Sequence, residues 1–188
     1  MANYNAGDFR KGIKVTVEGV PYEMIHCDFV KPGKGQALYR SKLRNLLTGS
    51  VLERTYRSGD SLDGADIHNS DGLYSYFDGT YFVFMDNTSF EQVQLSGEIC
   101  GQVMKYIKEG TPVQLMYWND KLIDVTPPKH IVLEILSTEP SPRGNTATNV
   151  SKPAVVEGGV EIKVPAFISA GEKVKIDTET GEYLGRVN

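Results

Sequence analysis

A single lysine amine, Lys34, stands at the centre of Lys31-Pro32-Gly33-Lys34-Gly35-Gln36-Ala37. An amine there can donate up to three hydrogen bonds, pair with an anion, or be covalently extended. Pro32 fixes its own φ and removes a backbone donor. Gly33 and Gly35 permit positive φ and put no Cβ in the way of a partner. A lysine between glycines also fits an ordinary turn in solvent. Downstream, Arg40, Lys42 and Arg44 are spaced two apart, so in an extended strand all three share one face. With Lys31 and Lys34 they would form a cationic arm suited to RNA phosphate. Alone, that stripe also fits a solvated strand face. The aromatic group Tyr74, Tyr76, Phe77, Tyr81, Phe82 and Phe84 could stack on bases. Its neighbours occupy both parities, so half must point inward, which favours core packing. Trp118 reads as packing too.

Other chemistry is missing from the pattern. The chain has no His-Glu-x-x-His, no Cys-x-x-Cys, and three scattered histidines, His26, His68 and His130, so no metal site is expected. It has no Gly-x-Ser-x-Gly elbow. Gly33-Lys34 is not a phosphate loop, because Gly35 follows and extended chain lies on both sides. No catalytic residue and no cofactor are expected, and the chain reads as a non-enzyme.

The elements that must position Lys34 are short strands. Residues 13–17 alternate with period two, and Glu18-Gly19 turns the chain. Residues 20–30 run extended into the tip and 36–44 run back. Thr48-Gly49 leads into a strand over 50–57. Further on, Asp78-Gly79 and Asn119-Asp120 are two-residue hairpin signals. The spacing of Ile99, Val103, Tyr106 and Ile107 predicts one helix over 98–108, closed by Gly110. Pro127-Pro128 cannot continue a sheet ladder and marks a boundary. Strands are expected at 131–137, 153–157, 160–168, 174–177 and 182–187. The pattern gives an all-β chain of three small β-barrel modules, 1–64, 65–128 and 129–188. Modules of this size bury limited surface, so their mutual interfaces should contribute stability.

Charge is uneven. Residues 1–64 hold ten Lys/Arg against seven Asp/Glu, residues 65–128 three against nine, and residues 129–188 seven against eight. A basic head on an acidic body suggests that one end meets an anion. The N-terminus shows no secretory pattern, and no run approaches the ~18 apolar residues of a membrane span. Cys27 and Cys100 read as free cytosolic thiols.

The tip Lys31-Pro32-Gly33-Lys34-Gly35-Gln36-Ala37 resembles the modification loop of the bacterial elongation factor P family. The resemblance continues through Asp8-Phe9-Arg10-Lys11-Gly12, Leu46-Leu47-Thr48-Gly49, Gly64-Ala65-Asp66 and Val125-Thr126-Pro127-Pro128. It extends through Lys152-Pro153-Ala154 and Val164-Pro165 to the final Thr178-Glu179-Thr180-Gly181-Glu182-Tyr183-Leu184-Gly185-Arg186-Val187. It implies an SH3-like, KOW-type barrel followed by two OB-folds, set in an L.

The resemblance further implies a cytoplasmic monomer that binds the ribosome, rRNA and ribosomal proteins included, between the peptidyl and exit tRNA sites. There it would speed peptide bonds at consecutive prolines. Lys34 would be extended by a lysine-modifying enzyme and directed to the peptidyl transferase centre. Lys31, Pro32, Gly33, Gly35, Arg40, Lys42 and Arg44 would contact the ribosome and peptidyl-site tRNA. The family's Gly-Asp-Thr loop, which meets exit-site mRNA, is matched by Gly144-Asn145-Thr146, where Asn replaces Asp and loses its charge. Tyr183 and Arg186 match the family's C-terminal pair near the small subunit and tRNA. Tyr183 would equally suit strand packing. Three other readings are open: a paralogue acting without modification, a general single-strand-binding OB protein, against which the acidic middle module counts, and an unrecognised enzyme, against which the missing catalytic patterns count.

Overall fold

The structure, a computed structural model, describes residues 2–140 and 150–188. It is mostly β, with one α-helix and one turn of 3-10 helix. The first sheet contains β1 (Asn3–Asn5), β2 (Lys14–Val17), β3 (Val20–Val30), β4 (Leu38–Asn45), β5 (Val51–Arg57) and β6 (Ser61–Gly64), in the order β1-β6-β2-β3-β4-β5. The second contains β7 (Ile67–Phe77), β8 (Tyr81–Asp86), β9 (Gln92–Ser96), β10 (Pro112–Trp118) and β11 (Lys121–Thr126), ordered β11-β10-β7-β8-β9. The third contains β12 (His130–Thr138), β13 (Ser151–Val156), β14 (Glu161–Pro165), β15 (Lys173–Asp177) and β16 (Tyr183–Val187), ordered β14-β13-β12-β15-β16. The chain clusters into two compact units, Met1–Asn69 with Met116–Asp124, and Ser70–Leu115 with Val125–Asn188.

Alternation along the strands builds the cores. Val15, Val17, Met24 and Leu43 point inward in the first sheet and pack with Phe9 and Ile13. Phe84 and Leu115 are fully buried in the second unit, as are Leu133, Ile135 and Ile176. A buried branched or aromatic side chain of this kind contributes about 1.5–3 kcal/mol by leaving water.

One turn device recurs. A side-chain oxygen accepts the backbone N–H groups two and three residues on, which holds the turn without any partner from elsewhere. Asn45 takes Leu47 and Thr48, Asp78 takes Thr80 and Tyr81, Asp86 takes Thr88 and Ser89, and Asp177 takes Glu179 and Thr180. Those donors hold the Asp78 and Asp177 carboxyls below the usual range. At Asp78 the backbone bond from Asp78 N to Tyr81 O makes Gly79 and Thr80 the central pair, one residue past the expected Asp78-Gly79. Asn119 and Asp120 form their expected turn, both with positive φ, +48° and +62°.

The helix differs from expectation. It is α1, Gly97–Met104, shorter than 98–108 and capped by the Ser96 hydroxyl, which accepts from Glu98 N. Its buried pair is Cys100 and Met104, while Ile99 and Val103 face solvent. Both pairs lie one helical turn apart, so spacing alone cannot choose between them; the side that meets β8 and β9 decides. Tyr106, just beyond, occupies the space that a Cβ at Gly181 would need, so position 181 accepts only glycine without displacing that ring.

Candidate functional site

Strands β3 and β4 form a long antiparallel arm whose last pair is Val30 with Leu38. Residues 31–37 cross the end as the tip. β5 continues the sheet on the other side of β4, from Leu38 opposite Arg57 to Arg44 opposite Val51. The tip's root is tied down by Ser58 N, which donates to Ala37 O at 3.1 Å; the turn that carries Ser58 is itself held by Arg57 N, which donates to Asp60 Oδ2 at 2.7 Å.

Lys31, Pro32, Gly33, Lys34 and Gly35 are all exposed. Gly35 has φ +150°, a conformation L side chains avoid; Gly33 is not in the positive-φ region, so only one of the two tip glycines uses the freedom expected of both. Neither Lys31 nor Lys34 makes an ion pair among the described residues. The Lys34 amine is therefore presented to solvent at the end of a supported arm, with no described residue to hold it back.

The stripe is as spaced but not as charged. Arg40, Lys42 and Arg44 are exposed on one face of β4, and Ser41 and Leu43 are buried on the other. Opposite Arg44 stands Glu23, whose carboxylate pairs with both Arg44 and Lys14. Burial pushes the Glu23 carboxyl up, but the two cations outweigh that and hold it below the usual range. That stabilisation is present above the carboxyl's unfolded pKa and is lost as pH falls through its lowered folded value. Lys42 stands between His26 and Glu53 and pairs with Glu53 at 3.2 Å. Arg40 stands between Asp28 and Thr55 and makes no ion pair among the described residues, while Asp28 contacts His26 at 2.9 Å. Of the three expected anchors, only Arg40 has no ion-pair partner among the described residues.

The acids were not anticipated because of a bulge. β3 shifts register between Met24, opposite Leu43, and His26, opposite Lys42. The extra residue, Ile25, reverses the parity of everything after it. Glu23 and Asp28, one odd and one even, thus both face the stripe. Phe29 turns to the core side, opposite Tyr39, and was also missed. Cross-strand pairing of opposite charges is a recognisable signal once register is known.

In the third sheet a second bulge acts the same way. Tyr183 pairs with Ile176 and Arg186 with Val174, so Leu184 is the extra residue and Tyr183 and Arg186 share a face despite their odd spacing. Tyr183 is half-buried, as packing would require, and Arg186 is exposed and pairs with Glu172 at 3.0 Å. Gly144, Asn145 and Thr146 lie outside the described residues. The aromatic group divides. Tyr74 and Phe84 are buried and Phe82 half-buried, whereas Tyr76, Phe77 and Tyr81 are partly open. Trp118 is half-buried. Cys27 and Cys100 are not joined in a disulfide, and the Cys100 thiol donates to Ser96 O at 3.4 Å. Among the described residues no group of three or more His, Cys, Asp or Glu could hold a metal ion, and no helix is long and apolar enough to cross a membrane.

Three family models match in chain order: Elongation factor P (EF-P) KOW-like domain over residues 5–62, Elongation factor P (EF-P) OB domain over 67–125, and Elongation factor P, C-terminal over 131–186. The chain belongs to the elongation factor P family. The Elongation factor P of Rhodopirellula baltica is 47% identical over 188 residues, covering 100% of this chain and 96% of that protein. The one from Microcystis aeruginosa is 43% identical over 182 residues, covering 97% and 98%. Among solved structures, a eukaryotic translation initiation factor 5A from Methanococcus jannaschii aligns with a TM-score of 0.57 at 21% identity, over 67% of this chain and 92% of that one. That likeness supports the fold alone. The family makes this chain a translation elongation factor with KOW-like and OB domains, in agreement with the small β-modules expected from the pattern.

Proposed function

We propose that this elongation factor P family member binds the ribosome between the peptidyl and exit tRNA sites and stimulates peptide-bond formation at consecutive prolines. Its tip lysine, Lys34, is extended by a group that a lysine-modifying enzyme adds, and the extended side chain is directed to the peptidyl transferase centre. The observation that carries this reading is the exposed, unpaired Lys34 at the end of a tied arm, in a chain that matches the family along its length. The three modules are 1–64, 65–128 and 129–188. The first meets peptidyl-site tRNA through Lys31, Pro32, Gly33, Gly35 and the stripe; the third meets exit-site mRNA and tRNA through Gly144, Asn145, Thr146, Tyr183 and Arg186. It acts in the cytoplasm as a monomer.

The mechanism is positioning, with no bond made or broken by the protein's own side chains. Proline's secondary amine and fixed φ make it a poor nucleophile. A factor that holds peptidyl-tRNA in a reactive pose lowers the entropic part of the barrier. The test is a timed translation of a Pro-Pro-Pro reporter with and without the purified native protein. Equal times would sink the reading. The mass of the tryptic peptide carrying Lys34 checks the modification: the unmodified mass favours the paralogue that acts bare.

The charge pairing changes which anchor matters. Arg40→Ala is expected to weaken ribosome binding more than Lys42→Ala, and to flatten its salt dependence by about one phosphate contact. Lys42 must first leave Glu53, so its removal costs less. Binding curves at several salt concentrations check this; an equal or reversed order would show that Glu53 does not compete with RNA.

A further inference from the structure

We propose that Phe29 is a nucleobase-stacking residue, which grips an unstacked RNA base at the root of the Lys34 tip. The inference rests on the functional reading above and adds a contact to it.

Phe29 is 57% exposed, although the bulge at Ile25 turns it to the side of β3 that elsewhere forms the core. It lies past the end of that core. Its ring packs on Tyr39, its partner across the ladder, with centroids 5.2 Å apart and planes tilted by 56°. Tyr39 in turn meets Phe9 edge-on at 6.3 Å, and Phe9 meets Tyr56 edge-on at 5.2 Å. Phe9 and Tyr56 are buried and Tyr39 half-buried. The four rings form a chain that is anchored inside and ends in solvent. The outermost ring is supported from behind, so ordering it on a partner costs little side-chain entropy.

An exposed aromatic needs a partner class, and the surroundings select one. Two residues on is the exposed, unpaired Lys31, and beyond it Lys34. A protein hot spot would place an aromatic among other apolar groups, with charge kept to the rim. A ring beside free cations suits nucleic acid: the base stacks on the ring and the cations take the phosphates. RNA is therefore the partner. The charged face with Arg40 lies on the opposite side of the same strands. The arm thus offers a stacking face and a phosphate face, with the tip between them.

The test separates stacking from simple cover of Tyr39. Phe29→Leu keeps an apolar side chain over Tyr39 but removes the π-face; Phe29→Tyr keeps the π-face. Apparent affinity is read from the Pro-Pro-Pro reporter at increasing protein, alongside thermal unfolding. Phe29→Leu is expected to weaken it about tenfold, with unchanged unfolding and little dependence on salt. Phe29→Tyr is expected to restore it. Full affinity in Phe29→Leu, or an equal loss in both variants, would overturn the inference. A photoreactive azidophenylalanine at position 29, irradiated on ribosomes carrying peptidyl-tRNA, gives an independent result. Adducts to RNA support the proposal, and adducts to protein alone overturn it. Wild type and Lys34→Ala run beside these. A wild type that does not stimulate sinks the functional reading, whereas a stimulating wild type with a fully active Phe29→Leu sinks only the stacking contact.

Discussion

Lys34→Ala is expected to reduce stimulation of a Pro-Pro-Pro reporter to the level seen without the protein, and to leave its stability unchanged. The two halves of that expectation come from one observation. Lys34 is exposed, makes no ion pair among the described residues, and sits between glycines on a loop whose root is held by other residues. Nothing in the fold depends on it, so unfolding should shift by no more than about 0.5 kcal/mol. Everything proposed for the tip does depend on it. Alanine ends at Cβ and removes both the amine and any group attached to it. Orientation effects can carry several powers of ten in rate, so losing the only group that reaches the reacting ends should lose nearly all of the effect. Lys34→Arg adds a second arm. It keeps the charge but presents a guanidinium that a lysine-specific enzyme cannot extend, so activity should also fall to baseline. Retained stimulation in Lys34→Ala would remove the tip from the mechanism; retained stimulation in Lys34→Arg alone would show that charge suffices and modification does not matter.

The second large effect lies beneath the arm. Leu43→Ala is expected to destabilise the first sheet by about 2–5 kcal/mol, the range for truncating a fully buried leucine. Leu43 has no exposed surface, faces Met24 on β3 and Leu52 on β5, and sits on the inner side of the strand that carries the cationic stripe. Its removal leaves a cavity between three strands at once. Urea unfolding followed by circular dichroism, with hydrogen exchange to locate the change, would show early loss of protection in β2 to β5. Stimulation should fall as well, although Lys34, Arg40 and Phe29 are untouched, because the strands that aim them would open more often. A loss below about 1 kcal/mol would mean that the site collapses around the gap, or that the arm does not rely on this core.

Much of this was legible in the chain because it is local. Period two within β2 and β4 fixed which residues share a face, and it placed Arg40, Lys42 and Arg44 together correctly. Asn119-Asp120 and Pro-Gly punctuation marked the turns, since positive φ and missing N–H groups are properties of single residues. The tip motif and the matches after it pointed to the family before any coordinates, and the KOW-like and OB matches agree with the small β-modules.

What the sequence did not determine is how faces meet. Alternation holds only while register is unbroken, and one added residue reverses it. Ile25 does this on β3, bringing Glu23 and Asp28 to the stripe and Phe29 to the other side; Leu184 does it on β16, joining Tyr183 to Arg186. The β3 bulge has no glycine or proline to announce it, whereas the one on β16 adjoins Gly185. The same limit applied to the helix, where two apolar pairs had equal spacing and only the neighbouring strands chose Cys100 and Met104. The sequence by itself determined the amine, its loop, the strands that carry it and the family. The tertiary structure decided which charges are already paired, which ring is left open, and so which of the candidate residues are free to meet a partner. Those are properties of register and packing, and they exist only once strands far apart in the chain lie side by side.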